Sequence, residues 1–171
     1  MTTLEEHALA PADDPRRYRR SLGCFPTGIT VMTAAHGGTR VGVTANSFAS
    51  VSLEPPLVLW ALRADSPSLP VFRHAGHFTV NVLAWHQEDL SRRFATPADD
   101  KFAGLNVTEG WGGAPLLDGC AARFETRLAH QFTSGDHVLL VGEVLRYNNF
   151  HREPLVFVRG GHRWLDQPGI G

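Results

Sequence analysis

Two cysteines, Cys24 and Cys120, are the only thiols in 171 residues, and neither has another cysteine beside it. No CxxC pair, zinc set or disulfide framework can be built from them, although they leave room for a single disulfide. Charge of one sign is also missing. Sixteen Lys and Arg stand against 17 Asp and Glu, a formal charge of -1, which excludes the broad basic footprint of a nucleic-acid binder. No apolar run is long enough to span a bilayer. The opening Met1-Thr2-Thr3-Leu4-Glu5-Glu6 has no basic stretch leading into an apolar one, so it does not read as a secretory signal and a cytoplasmic location is expected. The glycine fingerprints of nucleotide and hydrolase folds are absent too: no GxGxxG follows a strand, and there is no GxxxxGK[ST] or GxSxG. His74-Ala75-Gly76-His77 has a spacing that suggests metal ligands. Gly76 interrupts any helix there and no carboxylate or thiol is close in sequence, so a helix end running into a strand is expected and no metal.

What the chain has is a β pattern cut by turns. At 43% hydrophobic residues it can bury a core, and its length suits one domain, expected over 13–171 after a flexible tail over 1–12. Asp13-Asp14-Pro15 reads as a capped helix start. Tyr18, Leu22 and Phe25 then recur at helical spacing, with Arg16, Arg17, Arg19 and Arg20 on the other faces. Strands are expected over 29–35, from 40, over 57–62, 77–83, 122–128, 137–147 and 154–158, with turns at His36-Gly37-Gly38-Thr39 and Ser134-Gly135-Asp136. Short helices are expected near 66–74 and 87–94, and a polar, glycine-rich surface excursion over 96–118. Strands joined by short turns, without regular βαβ alternation, predict a mainly β fold: an antiparallel barrel with a few short peripheral helices.

The most informative stretch runs from Val41 to Leu57. An apolar strand passes into Thr44-Ala45-Asn46-Ser47, then Ser50, Val51 and Ser52, and stops at Pro55-Pro56. Small hydroxyl residues and lightly covered backbone N–H groups suit a ligand that carries a phosphate and a flat polar ring. Arg92 and Arg93, at the end of a short helix, either neutralise a phosphate or complement the helix terminus. His137, after Gly135-Asp136, either orients Asp136 or serves a ligand near neutral pH. Gly160-Gly161-His162-Arg163-Trp164 lets backbone approach a ligand closely.

The run 42–57, the corner Phe25-Pro26-Thr27-Gly28, the segment from Phe78 through Asn81 and Gln87 to Ser91-Arg92-Arg93-Phe94-Ala95, the Gly135-Asp136-His137 turn and the Gly160-Gly161 end resemble the short-chain flavin reductases. These are the NAD(P)H-dependent partners of two-component flavin monooxygenases. The resemblance covers about residues 16–165. It implies an antiparallel split β-barrel, usually a homodimer, that binds FMN or FAD and uses NADH or NADPH. Hydride would pass from the nicotinamide to the flavin, and reduced flavin would go to an oxygenase partner. It also implies cofactor-binding roles for Pro26, Thr27, Thr44, Ala45, Asn46, Ser47, Ser50, Val51, Ser52, Asn81, Gln87, Ser91, Arg92 and Phe94, catalytic roles for His137 and His162, and an ordered loop at Asp100-Lys101-Phe102. Trp164 stands where the family commonly has tyrosine. A flavin carrier, or a split-barrel flavin oxidase without nicotinamide turnover, is the alternative.

Overall fold

A computed structural model describes residues 8–165. In chain order the elements are α1 (Pro15–Leu22), β1 (Thr27–Gly28), β2 (Thr30–His36), β3 (Thr39–Ala45), β4 (Ala49–Leu53), β5 (Pro56–Arg63), α2 (Leu69–Ala75), β6 (His77–Val82), α3 (Glu88–Ala95), β7 (Val107–Glu109), β8 (Pro115–Leu117), β9 (Ala122–Ser134), β10 (His137–Asn149), β11 (Val156–Val158) and β12 (Gly161–Arg163). Seven of the strands form one antiparallel sheet, in the order β3-β2-β6-β9-β10-β5-β4. It curls until β3 and β5 approach each other without pairing, leaving a split barrel. Short strands β1, β11 and β12 make a second small sheet, and β7 pairs with β8.

Period-2 alternation sorts the side chains into two cores. Met32 and Ala34 of β2, Val58, Trp60 and Leu62 of β5, Phe78 and Val80 of β6, and Val138 and Leu140 of β10 fill the barrel interior, with Phe72 of α2. The Trp60 ring meets Phe72 edge-on at 4.8 Å. Each such side chain contributes about 1.5–3 kcal/mol by leaving water. Ile29, Val31 and Leu83, from the opposite face, pack outside the barrel with Phe94, Phe102, Leu117, Cys120 and Leu155. Gly142 lets the long β9–β10 ribbon bend over this interior, because a Cβ there would lie 2.5 Å from Phe78 Cζ and 2.8 Å from Thr126 Cβ.

The turns fall where glycine demands them. Gly37 and Gly38 both have positive φ, 57° and 79°, which is the backbone of a tight hairpin between β2 and β3. Gly76 closes α2 in the left-handed conformation, and β6 begins at His77, so 74–77 is a helix end and a strand start. Asp14 caps α1 by accepting from Arg17 N at 2.8 Å. Pro55 lies in the turn between β4 and β5, and Pro56 opens β5.

Three expectations are corrected. The excursion over 96–118 is not simply surface: it carries β7 and β8 and buries Phe102, Ala114 and Leu117. Its apolar residues are too widely spaced to show a period. Strand β9 runs to Ser134, beyond its apolar half, because β10 pairs with it along its full length. Helix α1 buries none of its residues, and Tyr18, Leu22 and Phe25 are 48%, 59% and 76% exposed. Of the tail expected over 1–12, residues 1–7 lie outside the described residues, and 8–12 are exposed. None of the described helices is long and apolar enough to cross a membrane.

Candidate functional site

The split in the barrel opens into a cleft of about 900 Å³. One wall is the whole of β3, continuing through Asn46 and Ser47. The other is the end of β5 with the loop 65–68, and the loop 97–102 after α3 closes the side. Strand β3 lies flat against α3 because Gly42 has no side chain. A Cβ there would drive into the Phe94 ring, which packs edge-on against Phe102 at 5.1 Å.

Hydroxyls hold the walls together. Ser47 Oγ donates to the Ala61 carbonyl at 3.1 Å and accepts from Ala61 N at 3.0 Å, stitching the β3–β4 connection to β5 across the split. Thr44 Oγ1 donates to the Ser91 carbonyl at 2.7 Å, stitching β3 to α3. Among the described residues, the backbone N–H groups of Asn46 and Ser47 have no acceptor. Two donors on a lightly covered cleft wall are therefore left for a ligand or water to satisfy.

A polar chain lies one helical turn from the cleft. His162 of β12 places Nδ1 at 3.1 Å from Glu88 Oε1 and Nε2 at 3.1 Å from Ser91 Oγ. The Arg92 guanidinium, and His162 after it, hold the Glu88 carboxyl below the usual carboxylate range. An ionised Glu88 can only accept, so His162 donates to it from Nδ1 and shares a hydrogen bond with the Ser91 hydroxyl at Nε2. At the cleft mouth, His137 Nδ1 sits 2.8 Å from Asp136 Oδ1, and that contact lowers the Asp136 pKa.

Residues 22–166 match the family described as "Flavin reductase like domain". The chain belongs to this family. Over 94% of its length it is 44% identical to FMN reductase (NADH) SmoA of Agrobacterium fabrum, covering 95% of that protein. It is 40% identical to the reductase subunit HsaB of a flavin-dependent monooxygenase from Rhodococcus jostii, over 92% of the chain and 81% of that protein. Its fold superposes with a TM-score of 0.89 on the NADH:FAD oxidoreductase SgcE6 of Streptomyces globisporus in complex with NAD and FAD fragments. That pair is 35% identical, with 96% of this chain and 99% of that chain covered. Another relative, the reductase component of a trigonelline monooxygenase from Acinetobacter baylyi, is longer, and the chain covers 48% of it.

The residues present fit a flavin. The small Ala45 leaves room for a flat ring against β3, the free N–H groups of Asn46 and Ser47 suit its polar edge, and Arg40 and Lys101 line the same cleft. This flavin reductase gathers Thr44, Ala45, Asn46, Ser47, Phe94 and His137 at that cleft. Ser91, Arg92 and His162 form the polar chain beside it. Thr27 joins β12 through β11, pairing with Phe157, which in turn pairs with His162. Among the described residues the Thr27 hydroxyl is buried without a partner, and Pro26 precedes it.

Five expected cofactor residues are placed elsewhere. Asn81 is fully buried: its Nδ2 donates to the Val31 carbonyl and to Thr33 Oγ1, and its Oδ1 accepts from Leu117 N. Gln87 Oε1 accepts from Ala84 N and its Nε2 donates to the Asp118 carbonyl. Both amides hold the outer layer to the barrel. Ser50, Val51 and Ser52 lie on the edge strand β4 and do not line the cleft of this chain. Val51 is the extra residue of a bulge between them. The sequence reading missed Arg40, Arg63, Asp65 and Ser66, which reach the cleft only because the sheet curls. The expected loop at 100–102 is there, pinned by Lys101 Nζ donating to the Phe94 carbonyl at 2.8 Å and by Arg93 Nε donating to the Lys101 carbonyl at 2.7 Å.

Proposed function

We propose that this flavin reductase binds FMN in the cleft between β3 and β5, reduces it with NADH, and supplies reduced flavin to a partner oxygenase. The observation that carries the proposal is the pair of unsatisfied N–H groups at Asn46 and Ser47, on a wall where the Thr44 and Ser47 hydroxyls are already engaged. The names of its relatives point the same way: an FMN reductase that uses NADH, and reductase subunits of flavin-dependent monooxygenases. FAD is the second candidate, since SgcE6 was seen with FAD fragments.

A bound flavin supplies the hydride-accepting ring, while the protein supplies position and electrostatics. In this reading the Asn46 and Ser47 N–H groups hold the polar edge of the ring and stabilise negative charge that builds there. Thr44 and Ser47 keep those donors in place through their bonds to Ser91 and Ala61. Phe94 and Phe102 keep water from one flank. His162 bridges Glu88 and Ser91 beside the cleft wall, and His137 stands at its mouth. The proposal places the enzyme in the cytoplasm as a homodimer. Pairing would cover the apolar residues that α1 and the β4 edge leave in water, among them Tyr18, Leu22, Phe25 and Leu53.

The test follows absorbance at the nicotinamide band after NADH is added to purified protein, with and without FMN. Loss of NADH that depends on FMN and saturates with it is expected. No loss with NADH or NADPH, in protein that still binds flavin, would overturn the proposal.

A further inference from the structure

Glu88 and Ser91 are three positions apart on α3 and share one face of the helix, and the His162 imidazole of β12 lies across both. Its Nδ1 is 3.1 Å from Glu88 Oε1, and its Nε2 is 3.1 Å from Ser91 Oγ. Arg92, one turn after Glu88, holds the same carboxylate oxygen. The Phe157 ring of β11 meets the imidazole edge-on at 5.8 Å. Both ring nitrogens are thus engaged, the His162 side chain is 16% exposed, and Ser91 is buried. Neither residue lines the cleft. A proton donor needs a nitrogen within hydrogen-bond reach of the reacting group, and this imidazole presents no free one.

The bridge does reach the cleft wall. Ser91 accepts the Thr44 hydroxyl at its carbonyl while its own hydroxyl bonds His162. Asn46 and Ser47, whose backbone N–H groups have no acceptor among the described residues, follow Thr44 by two and three positions. Phe94, three positions after Ser91, presses on β3 at Gly42. The face of α3 that meets β3 therefore includes the residue that His162 holds. Strand β12 is the outer strand of its small sheet, with β11 as its neighbour there, so this side-chain bridge ties it to α3.

We infer that His162, held by Glu88, is a positioning residue of this flavin reductase: through Ser91 and Thr44 it fixes the wall that carries the Asn46 and Ser47 donors, and it touches neither flavin nor nicotinamide. Donors aimed at a ring act fully only when held to within about 0.5 Å of the productive geometry, by neighbours whose own rotamers are locked. Glu88 and Phe157 lock the imidazole, and the imidazole locks Ser91. The inference rests on the proposed function.

The experiment compares the full chain with four variants. His162→Ala removes both bonds. His162→Gln has an amide long enough to reach Ser91, whereas the shorter one of His162→Asn reaches only Glu88. Ser91→Ala cuts the bridge from the helix side and carries the test if His162→Ala fails to fold. FMN dissociation constants are read by flavin fluorescence, kcat and KM by NADH absorbance, folding by thermal melting, and the mobility of 44–47 by amide hydrogen exchange. His162→Ala, His162→Asn and Ser91→Ala should each weaken FMN and raise its KM about fivefold, with kcat changed less than about twofold. Exchange over 44–47 should quicken in these three while 78–82 stays protected. His162→Gln should recover most of the loss. A kcat about a hundredfold lower in both His162→Gln and His162→Ala, with FMN affinity kept, would make His162 a proton donor and overturn the inference. Unchanged FMN affinity and exchange in His162→Ala and Ser91→Ala, whatever their melting temperatures, would overturn it too. Wild-type protein that oxidises no nicotinamide with any flavin would fail the proposed function, whereas exchange over 44–47 would still report on the bridge.

Discussion

Thr44 Oγ1 donates to the Ser91 carbonyl at 2.7 Å, and this bond joins the two halves of the candidate site. Thr44 belongs to the cleft wall, and Ser91 carries the hydroxyl paired with His162. The cleft and the C-terminal strand are thereby linked through α3.

Replacing Thr44 with Val keeps the shape and removes the donor. Thr44→Val should cost about 1 kcal/mol of stability, the worth of one partly buried hydrogen bond. It should also weaken FMN several-fold, because α3 loses its tie to β3. Chemical denaturation and a flavin fluorescence titration measure the two effects. Full stability with unchanged FMN affinity would show that the bond does not hold the wall.

Gly42→Ala places a methyl group against the Phe94 ring. The clash should cost about 1–3 kcal/mol and lower Tm by roughly 2–10 °C in a protein of this size. FMN binding should weaken as Phe94 moves. A melt that matches the wild type would mean that α3 can shift freely on β3.

Asn81→Ala separates a structural role from a cofactor role. It strips the partner from Leu117 N in a fully buried position and should cost about 3 kcal/mol. Molecules that remain folded should bind FMN as the wild type does. Weaker FMN binding in fully folded Asn81→Ala protein would restore Asn81 to the cofactor set.

Cys120 should make the protein sensitive to alkali. Burial pushes its thiol pKa from 9.0 up to about 11. The unfolded chain releases this proton near pH 9 and the folded one holds it until about pH 11. The thiol therefore adds nothing below pH 9, and stability falls across the window from there to about pH 11, by about 2–3 kcal/mol in all. Denaturation midpoints between pH 8 and 11 should show a decline that Cys120→Ala lessens. At pH 8 a thiol reagent should modify the exposed Cys24 and spare Cys120 in the folded protein.

Much of the fold was legible because its signals are local. Gly37-Gly38 needs positive φ at both positions, Asp14-Pro15 caps and starts a helix, and Gly76 ends one within a few residues of chain. Alternation in β6 separates Phe78 and Val80 from Thr79 and Asn81 without knowledge of the partner strands, whereas β5 is apolar throughout and only the fold decides which of its faces is interior. The segment 44–47, singled out by its small residues and its resemblance to flavin reductases, lines the cleft.

Which atoms remain free in that segment was decided by tertiary structure. Thr44 and Ser47 looked like hydroxyl donors for a ligand, yet their hydroxyls reach Ser91 and Ala61, 47 and 14 residues further along the chain, while among the described residues the backbone N–H groups of Asn46 and Ser47 stay open. Asn81 and Gln87 were drawn into the core in the same way, by Leu117 and Asp118. A polar group takes whichever partner the fold brings within about 3 Å. Sequence sets the chemical type of each group and the local turns, and the curling of the sheet sets which groups meet and which are left to bind a cofactor.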